Sequence, residues 1–253
     1  MSAIGTSDVA VVMPAYNAGR TVERVFTRIP PSARARIGSY VVADDGSVDD
    51  TRAALERLRR DFPRMVVLEH ARNLGYGATM KTLLGYARER RFGATAVLHA
   101  DGQYSPEFML DLLAPIEVGG ADVVQGSRLL GGGALAGGMP LYKYVANRLL
   151  TALENRAFGK HLAEYHSGYM LYSRRALERI PFERFANTFV FDLEMLIAAF
   201  ILGLTVRELP VPTIYADEVS HLRPLRYGLE VLAVVRRYRR GDYHALLGAG
   251  GKP

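Results

Sequence analysis

The chain is predicted to adopt an α/β fold around a mainly parallel sheet, for two reasons visible in its residue pattern. Short apolar runs alternate with stretches of helical periodicity, and several runs stop abruptly at polar clusters: Tyr40 to Ala43 at Asp44-Asp45-Gly46-Ser47, and Ala94 to Leu98 at His99-Ala100-Asp101-Gly102-Gln103. Buried central strands read as such continuous runs. Alternation at this spacing implies right-handed crossovers, which gather the strand ends along one sheet edge, where open α/β sheets bind ligands.

Asp8 to Pro14 is the first strand, and Asn17 is placed to cap a helix whose apolar face is Val22, Val25, Phe26 and Ile29, stopped by Pro30 and Pro31. Tyr40 to Ala43 is the second strand. Ser47 and Asp50 then have capping-box spacing for a helix through Leu55, Leu58 and Phe62. Met65 to Glu69 is the third strand, and Asn73-Leu74-Gly75-Tyr76-Gly77 leads into a helix carrying Met80, Leu83, Leu84 and Ala87. The fourth strand delivers His99, Asp101 and Gln103 to the edge, with Ser105 as cap and Pro106 opening the next helix. Asp122 to Gly126 is the fifth, ending at Gly126-Ser127-Arg128.

The rhythm then breaks. Gly131, Gly132, Gly133, Gly137 and Gly138 suit a mobile loop over the ligand edge better than a linker, since the chain beyond them is too strand-poor for a second autonomous domain. Pro140 begins a helix with Leu141, Val145, Leu149, Leu150 and Leu153 inward, ended by Gly159. Met170 to Tyr172 reads as a strand, Asp192 to Leu202 as an apolar helix, and Val206 to Tyr215 as extended, broken by Pro210 and Pro212. Leu222 to Arg240 sets Leu225, Leu229, Leu232 and Val235 among six arginines. The expected organisation is one domain over residues 1–240, with a first half at about 8–128, a second half at about 129–240, and a tail at 241–253.

Composition narrows the classes. Cysteine is absent from the 253 residues, which excludes a disulfide framework and fits a reducing compartment. The chain does not open with a basic segment followed by a long apolar one, so no signal peptide is expected. The longest uncharged apolar run, Met195 to Val206, is shorter than the ~20 residues of a spanning helix. The expectation is a cytoplasmic protein, at most peripheral at the inner face of the membrane. A net charge of +6 favours an anionic partner without choosing among nucleotide, lipid phosphate, membrane surface and nucleic acid.

A nucleotide needs partners for its base and ribose and neutralisation of its phosphates. Asp44 and Asp45 offer acceptors to a base N–H and to ribose hydroxyls, while Asp101 with a cation, and Arg128, offer neutralisation of a diphosphate. Two adjacent carboxylates repel, and no structural need for them is evident. There is no Walker loop, no Gly-x-Gly-x-x-Gly after the first strand, no His-Glu-x-x-His and no nucleophile elbow, so phosphoryl transfer, dinucleotide redox and hydrolase chemistry lose their usual signatures.

These motifs together resemble glycosyltransferase family 2: the apolar strand before Pro14-Ala15-Tyr16-Asn17, then Asp44-Asp45-Gly46-Ser47, Asn73-x-Gly75-x-Gly77, Ala100-Asp101-Gly102-Gln103 and Gly126-Ser127-Arg128. Pro140-Leu-Tyr-Lys-Tyr, Ser167-Gly168-Tyr169 and Glu218-x-Ser220 resemble its dolichol-phosphate mannose synthase branch, and the likeness runs from about Val9 to Tyr227. The resemblance implies an A-type glycosyltransferase fold with C-terminal acceptor-side helices, and inverting transfer from a UDP- or GDP-sugar to a polyprenyl phosphate. It implies that Pro14, Ala15, Tyr16, Asn17, Asp44, Asp45, Gly75, Ala100 and Asp101 hold the nucleotide sugar, and that Asp101 and Gln103 hold Mg²⁺ or Mn²⁺. Arg128 and Lys143 would face the phosphates, with Ser167 nearby. A membrane surface is the expected partner, with a separate membrane protein or a homodimer also open, and nucleic acid is not expected.

Two departures stand out. The branch's Asp-x-Asp is His99-Ala100-Asp101 here, and the lysine of its Asn-x-Gly-Lys-Gly is Tyr76. As a nitrogen ligand His99 would favour Mn²⁺; as a hydrogen-bonding residue, the preferred reading, it touches no metal. Glu164 and Asp192 are candidate bases for a hydroxyl acceptor, against readings as a solvated loop charge and a helix cap, and the cap is preferred for Asp192. His166 is equally a structural hydrogen-bonding residue or a ligand contact. The rival functions are a soluble-acceptor glycosyltransferase, a non-catalytic nucleotide-sugar or lipid sensor, and a sugar-phosphate nucleotidyltransferase; the last would carry a glycine-rich basic loop where Pro14 to Asn17 stands.

Overall fold

A computed structural model describes residues 8–135, 137–212 and 224–249. The expectations placed on Tyr215, Glu218, Ser220, Leu222 and Arg223 lie outside the described residues.

The strands are β1 (Val9–Ala15), β2 (Ile37–Asp44), β3 (Met65–Glu69), β4 (Ala94–Val97), β5 (Val123–Ser127), β6 (Met170–Ser173) and β7 (Val206–Pro210). They form one sheet in the order β3-β2-β1-β4-β6-β5-β7, parallel throughout except that β6 runs antiparallel to both neighbours. Helices cover both faces: α1 (Val22–Arg28), α2 (Pro31–Arg34), α3 (Thr51–Asp61), α4 (Tyr76–Glu89), α5 (Met109–Glu117), α6 (Leu141–Phe158), α7 (Arg174–Arg179), α8 (Phe191–Ile201), α9 (Pro224–Arg239) and α10 (Asp242–Leu246). Strand alternation divides the core. Val9, Val11 and Met13 join α1, α3 and α5 on one face, while Ala10 and Val12 join α4, α8, α9 and α10 on the other.

Because β6 is antiparallel, it begins at the edge where β1, β2, β4 and β5 end. The segment Glu164 to Gly168 is thereby carried onto that edge beside His99 and Arg128.

Several local expectations are corrected. Asn17 does not cap α1: it sits at φ 50°, its N–H donates to Ser47 Oγ at 2.9 Å and its Oδ1 accepts from Val48 N at 3.0 Å. The Ser47/Asp50 capping box does not form either. Asp49 takes the role, accepting from Thr51 N at 3.0 Å and from Gly19 N at 3.1 Å, so the loop before α3 is tied to the loop between β1 and α1. Ser105 makes no cap hydrogen bond, and its hydroxyl instead accepts from Arg28 at 3.3 Å.

Helix α6 is rotated relative to expectation. Its buried residues are Asn147, Thr151, Glu154 and Phe158; of the five apolar residues expected inward, Leu141, Val145 and Leu149 are exposed, while Leu150 and Leu153 are half-buried and Leu150 packs against the core. The inner side meets a buried polar loop that needs hydrogen-bonding partners, and this outweighs the leucines. Residues 131–135 and 137–139 fold back in hydrogen-bonded turns over a small cluster of Leu129, Ala134 and Met139. The expected tail is not loose at its start: α10 docks through Tyr243, which is fully buried and donates to Glu194 Oε1 at 2.7 Å.

Candidate active site

Over the carboxyl ends of the strands lies a cleft of about 1070 Å³. Pro14, Ala15, Tyr16, Asn17, Asp45, Gly75, Ala100, Asp101, Gln103, Arg128 and Lys143 all line it. Asp44 does not; it is buried behind the edge and its Oδ1 accepts from Ser47 N at 3.0 Å.

The paired aspartates do have a structural role, contrary to expectation. Asp45 Oδ1 accepts from Leu74 N at 2.9 Å and lies 2.7 Å from His70 Nδ1, and Oδ2 accepts from Gly75 N at 3.0 Å. These bonds hold the Asn73 to Gly77 loop against the end of β2 and spread the carboxylate's charge over donors. The loop is seated equally closely on the far side. A Cβ at Gly77 would fall 2.3 Å from the Ala186 carbonyl oxygen, and Gly77 N donates to Asn187 O at 3.0 Å.

Asp101 is fixed by the Gln103 N–H, 3.0 Å from its Oδ1. Two cations absent from the sequence-based expectations, Arg20 and Arg24, also line the cleft. Their signal was the polar stripe opposite Val22, Val25 and Phe26. Arg24 approaches the Gly102 turn, its Nη2 lying 3.6 Å from where a Cβ on that glycine would be.

On the opposite wall Arg128 is committed to a buried network. Its Nε donates to Glu164 Oε1 at 2.9 Å, an Nη also reaches that oxygen, and its backbone N donates to Glu164 Oε2 at 2.8 Å. The same Nη2 donates to His166 O at 2.7 Å, and Asn147 Nδ2 donates to Glu164 at 2.9 Å. Glu164 is 0 % exposed, neither a solvated loop charge nor an available base. Burial raises its pKa, but the Arg128 charge and these hydrogen bonds outweigh that and hold it below the usual range. His166 also serves the scaffold, with Nδ1 2.9 Å from Tyr227 Oη on α9 and Nε2 3.0 Å from Glu154 Oε2 on α6.

The two departures from the family pattern meet in space. Tyr76 Oη lies 3.4 Å from His99 Nε2 and donates to Asp192 Oδ2 at 2.7 Å. Asp192 is therefore not a helix cap; α8 is entered at Val190 without a side-chain cap. Burial drives its pKa up to about 7, the Tyr76 hydrogen bond opposing. His99 is packed edge-on to Tyr104, and a Cβ at Gly168 would lie 2.7 Å from its Nε2, so glycine is needed there. Burial lowers the His99 pKa, the Asp101 charge opposing. Beyond the two substitutions themselves, nothing in the residue order signals this cluster, because its third member is more than a hundred residues from Tyr76.

A mostly parallel sheet with one antiparallel insertion, and a cleft bearing an Asp-Gly turn over its strand ends, defines a GT-A fold glycosyltransferase. The chain belongs to glycosyl transferase family 2, whose model matches residues 10–181. It is 25 % identical over 219 residues to the UDP-N-acetylglucosamine–dolichyl-phosphate N-acetylglucosaminyltransferase of Methanococcus voltae, covering 82 % of this chain and 86 % of that one. It is 30 % identical over 212 residues to the low-salt glycan biosynthesis hexosyltransferase Agl6 of Haloferax volcanii, covering 81 % and 48 %. Among solved structures it is similar to glucosyl-3-phosphoglycerate synthase from Mycobacterium tuberculosis in complex with Mn²⁺, UDP and phosphoglyceric acid. There the TM-score is 0.62 at 25 % identity, covering 97 % of this chain and 79 % of that one.

Proposed function

We propose that this glycosyltransferase moves a sugar from a UDP- or GDP-sugar to a polyprenyl phosphate, with inversion at the anomeric carbon. The observation that carries the reading is the character of the cleft's acceptor side, where Lys143 stands among Met139, Tyr142, Ala146 and Leu150. A cation set in apolar surface matches a phosphate on a hydrocarbon chain. The dolichyl-phosphate enzyme among the relatives supports the same acceptor class.

Pro14 to Asn17 and Asp45 form the nucleoside side, with Asp44 holding the loop behind it. Asp101 and Gln103 suit Mg²⁺ or Mn²⁺: both are oxygen donors on the cleft wall, and the carboxylate is oriented by the Gln103 N–H. Among the described residues no group of three His, Cys, Asp or Glu forms a prebuilt cage, so the fit is to a cation that shares its shell with the donor diphosphate. Bound there, the cation would neutralise the leaving group's charge. A phosphate oxygen of the acceptor forms the new bond to the anomeric carbon as the bond to the diphosphate breaks and its electron pair leaves with the nucleotide. That acceptor is already ionised and needs no base. Arg20, Arg24 and Lys143 are the cations placed to compensate charge on the two phosphate groups.

A hydroxyl acceptor is the second reading, favoured by Asp192, a buried carboxyl on the cleft wall with its pKa raised to about 7. The test is a panel of UDP- and GDP-sugars with Mn²⁺ or Mg²⁺, scored for thermal stabilisation and then for transfer to a short-chain polyprenyl phosphate or to sugar hydroxyls. Transfer to the lipid phosphate is expected; transfer to hydroxyls alone would replace the proposal.

A further inference from the structure

Helices α6 and α9 lie side by side in the same sense. Their first turns border the cleft through Tyr142, Lys143, Pro224 and Tyr227, and toward their far ends the rings of Phe158 and Tyr238 pack edge to face at 4.8 Å. Each turns an apolar stripe outward. On α6 it is Leu141, Tyr142, Val145 and Leu149, the last 67 % exposed; on α9 it is Leu225, Leu229 and Leu232, the first 88 % exposed. Beyond these stripes the exposed residues are basic, Arg156 on α6 and Arg236 and Arg239, followed by Arg240, on α9, and Arg148 stands beside Leu149 within the α6 stripe. Acidic residues are nearly missing from both. Glu154 is buried, and Glu230 is paired to Arg226 at 2.9 Å.

We infer that this paired face docks on an anionic bilayer, the leucines next to the cleft entering the acyl boundary and the arginines behind them meeting headgroup phosphates. Exposed leucine and tyrosine on two adjacent helices, followed along the same stripes by guanidinium groups, is the pattern of helices that lie in a membrane interface. A second copy of this chain fits less well, because a two-fold contact through the face would bury these arginines without acidic partners. Among the described residues no helix is long and apolar enough to cross a membrane, so contact through these helices would be interfacial. The purpose of docking rests on the lipid-phosphate reading above, since it sets the cleft mouth at the surface holding such an acceptor; the docking itself is measurable without it.

The experiment is sedimentation of the whole protein with vesicles of phosphatidylcholine, with and without phosphatidylglycerol and free of any polyprenyl phosphate. Light scattering of the unbound protein is run alongside. The parent is expected to sediment with the anionic vesicles at low salt and to be partly released as salt screens the arginines. Leu149→Ser with Leu229→Ser, neither of which lines the cleft, should lower partitioning at least about tenfold. Arg236→Gln with Arg239→Gln and Arg240→Gln should abolish the preference for phosphatidylglycerol. Both variants should keep the parent's melting temperature and its transfer to a short, soluble acceptor. Vesicle binding without transfer to any polyprenyl phosphate supports the docking while refuting the acceptor reading. A parent that stays in solution, or a serine pair that sediments like the parent, overturns the inference. So does a dimer that the serine pair splits, which would assign the face to a second copy.

Discussion

The Tyr76 hydroxyl donates to Asp192 Oδ2 at 2.7 Å, joining the first residue of α4 to the second residue of α8 across the floor of the cleft. The bond holds a carboxyl that is 8 % exposed and whose other oxygen has no hydrogen-bond partner among the described residues. Burial raises the folded-state pKa from 3.8 to about 7. The sign follows from linkage: the folded state retains a proton that the unfolded chain has lost, so stability from this group is full below about pH 4, falls as pH rises, and is gone above about pH 7, on the order of 4 kcal/mol. Asp192→Asn should therefore unfold at higher urea than the parent at pH 8 and lose that advantage at pH 4. Parallel urea midpoints at both pH values would refute the assignment.

Glu164 is the counter-ion that keeps Arg128 in place. Glu164→Gln should destabilise by about 3 to 5 kcal/mol, because it leaves a buried guanidinium uncompensated. Glu164→Leu combined with Arg128→Met should recover part of that loss, because it removes both buried charges together. Urea unfolding of the single and double variants is the measurement, and a mild single variant would mean the pair is solvated.

Asp45 holds the Asn73 to Gly77 loop and also lines the cleft. Asp45→Ala removes acceptors for Leu74 N, Gly75 N and His70, and should cost about 2 to 4 kcal/mol as well as weakening binding of a uridine or guanosine diphosphate. Asp44→Ala should affect stability far more than nucleotide affinity, since Asp44 is off the cleft. Calorimetric titration beside thermal melts separates the two. Equal loss of affinity in both variants would show that Asp44 also reaches the nucleotide.

Asp101→Asn keeps an oxygen for the Gln103 N–H and should melt like the parent. It should nevertheless lose transfer by at least about a hundredfold and lose binding of Mn²⁺ in the presence of a nucleoside diphosphate. Excess EDTA should silence the parent. Full turnover in EDTA would remove the cation from the reaction, whereas His99→Ala is expected to leave measurable turnover with the same metal preference.

The strands and the polar clusters at their ends were legible in the residue order because both are local. A buried parallel strand is a short apolar run, and its carboxyl end is where the run stops, so Asp45, Asp101 and Arg128 could be placed on one edge from the residue order alone. The family motifs added the acceptor side. Three things were decided only by the tertiary structure. One was the direction of β6, which brings Glu164 to Gly168 to the cleft and makes Glu164, read from the sequence as either a base or a loop charge, the partner of Arg128. Another was the facing of α6: its leucines have helical periodicity whichever side they take, and a buried polar network around Glu164 and His166 claimed the side expected for them. The last was the meeting of Tyr76, His99 and Asp192. Each is ordinary in its own segment, and only the close packing of α4 and α8 beside the end of β4 makes them a cluster, because side chains distant in sequence interact through space that the residue order does not encode locally.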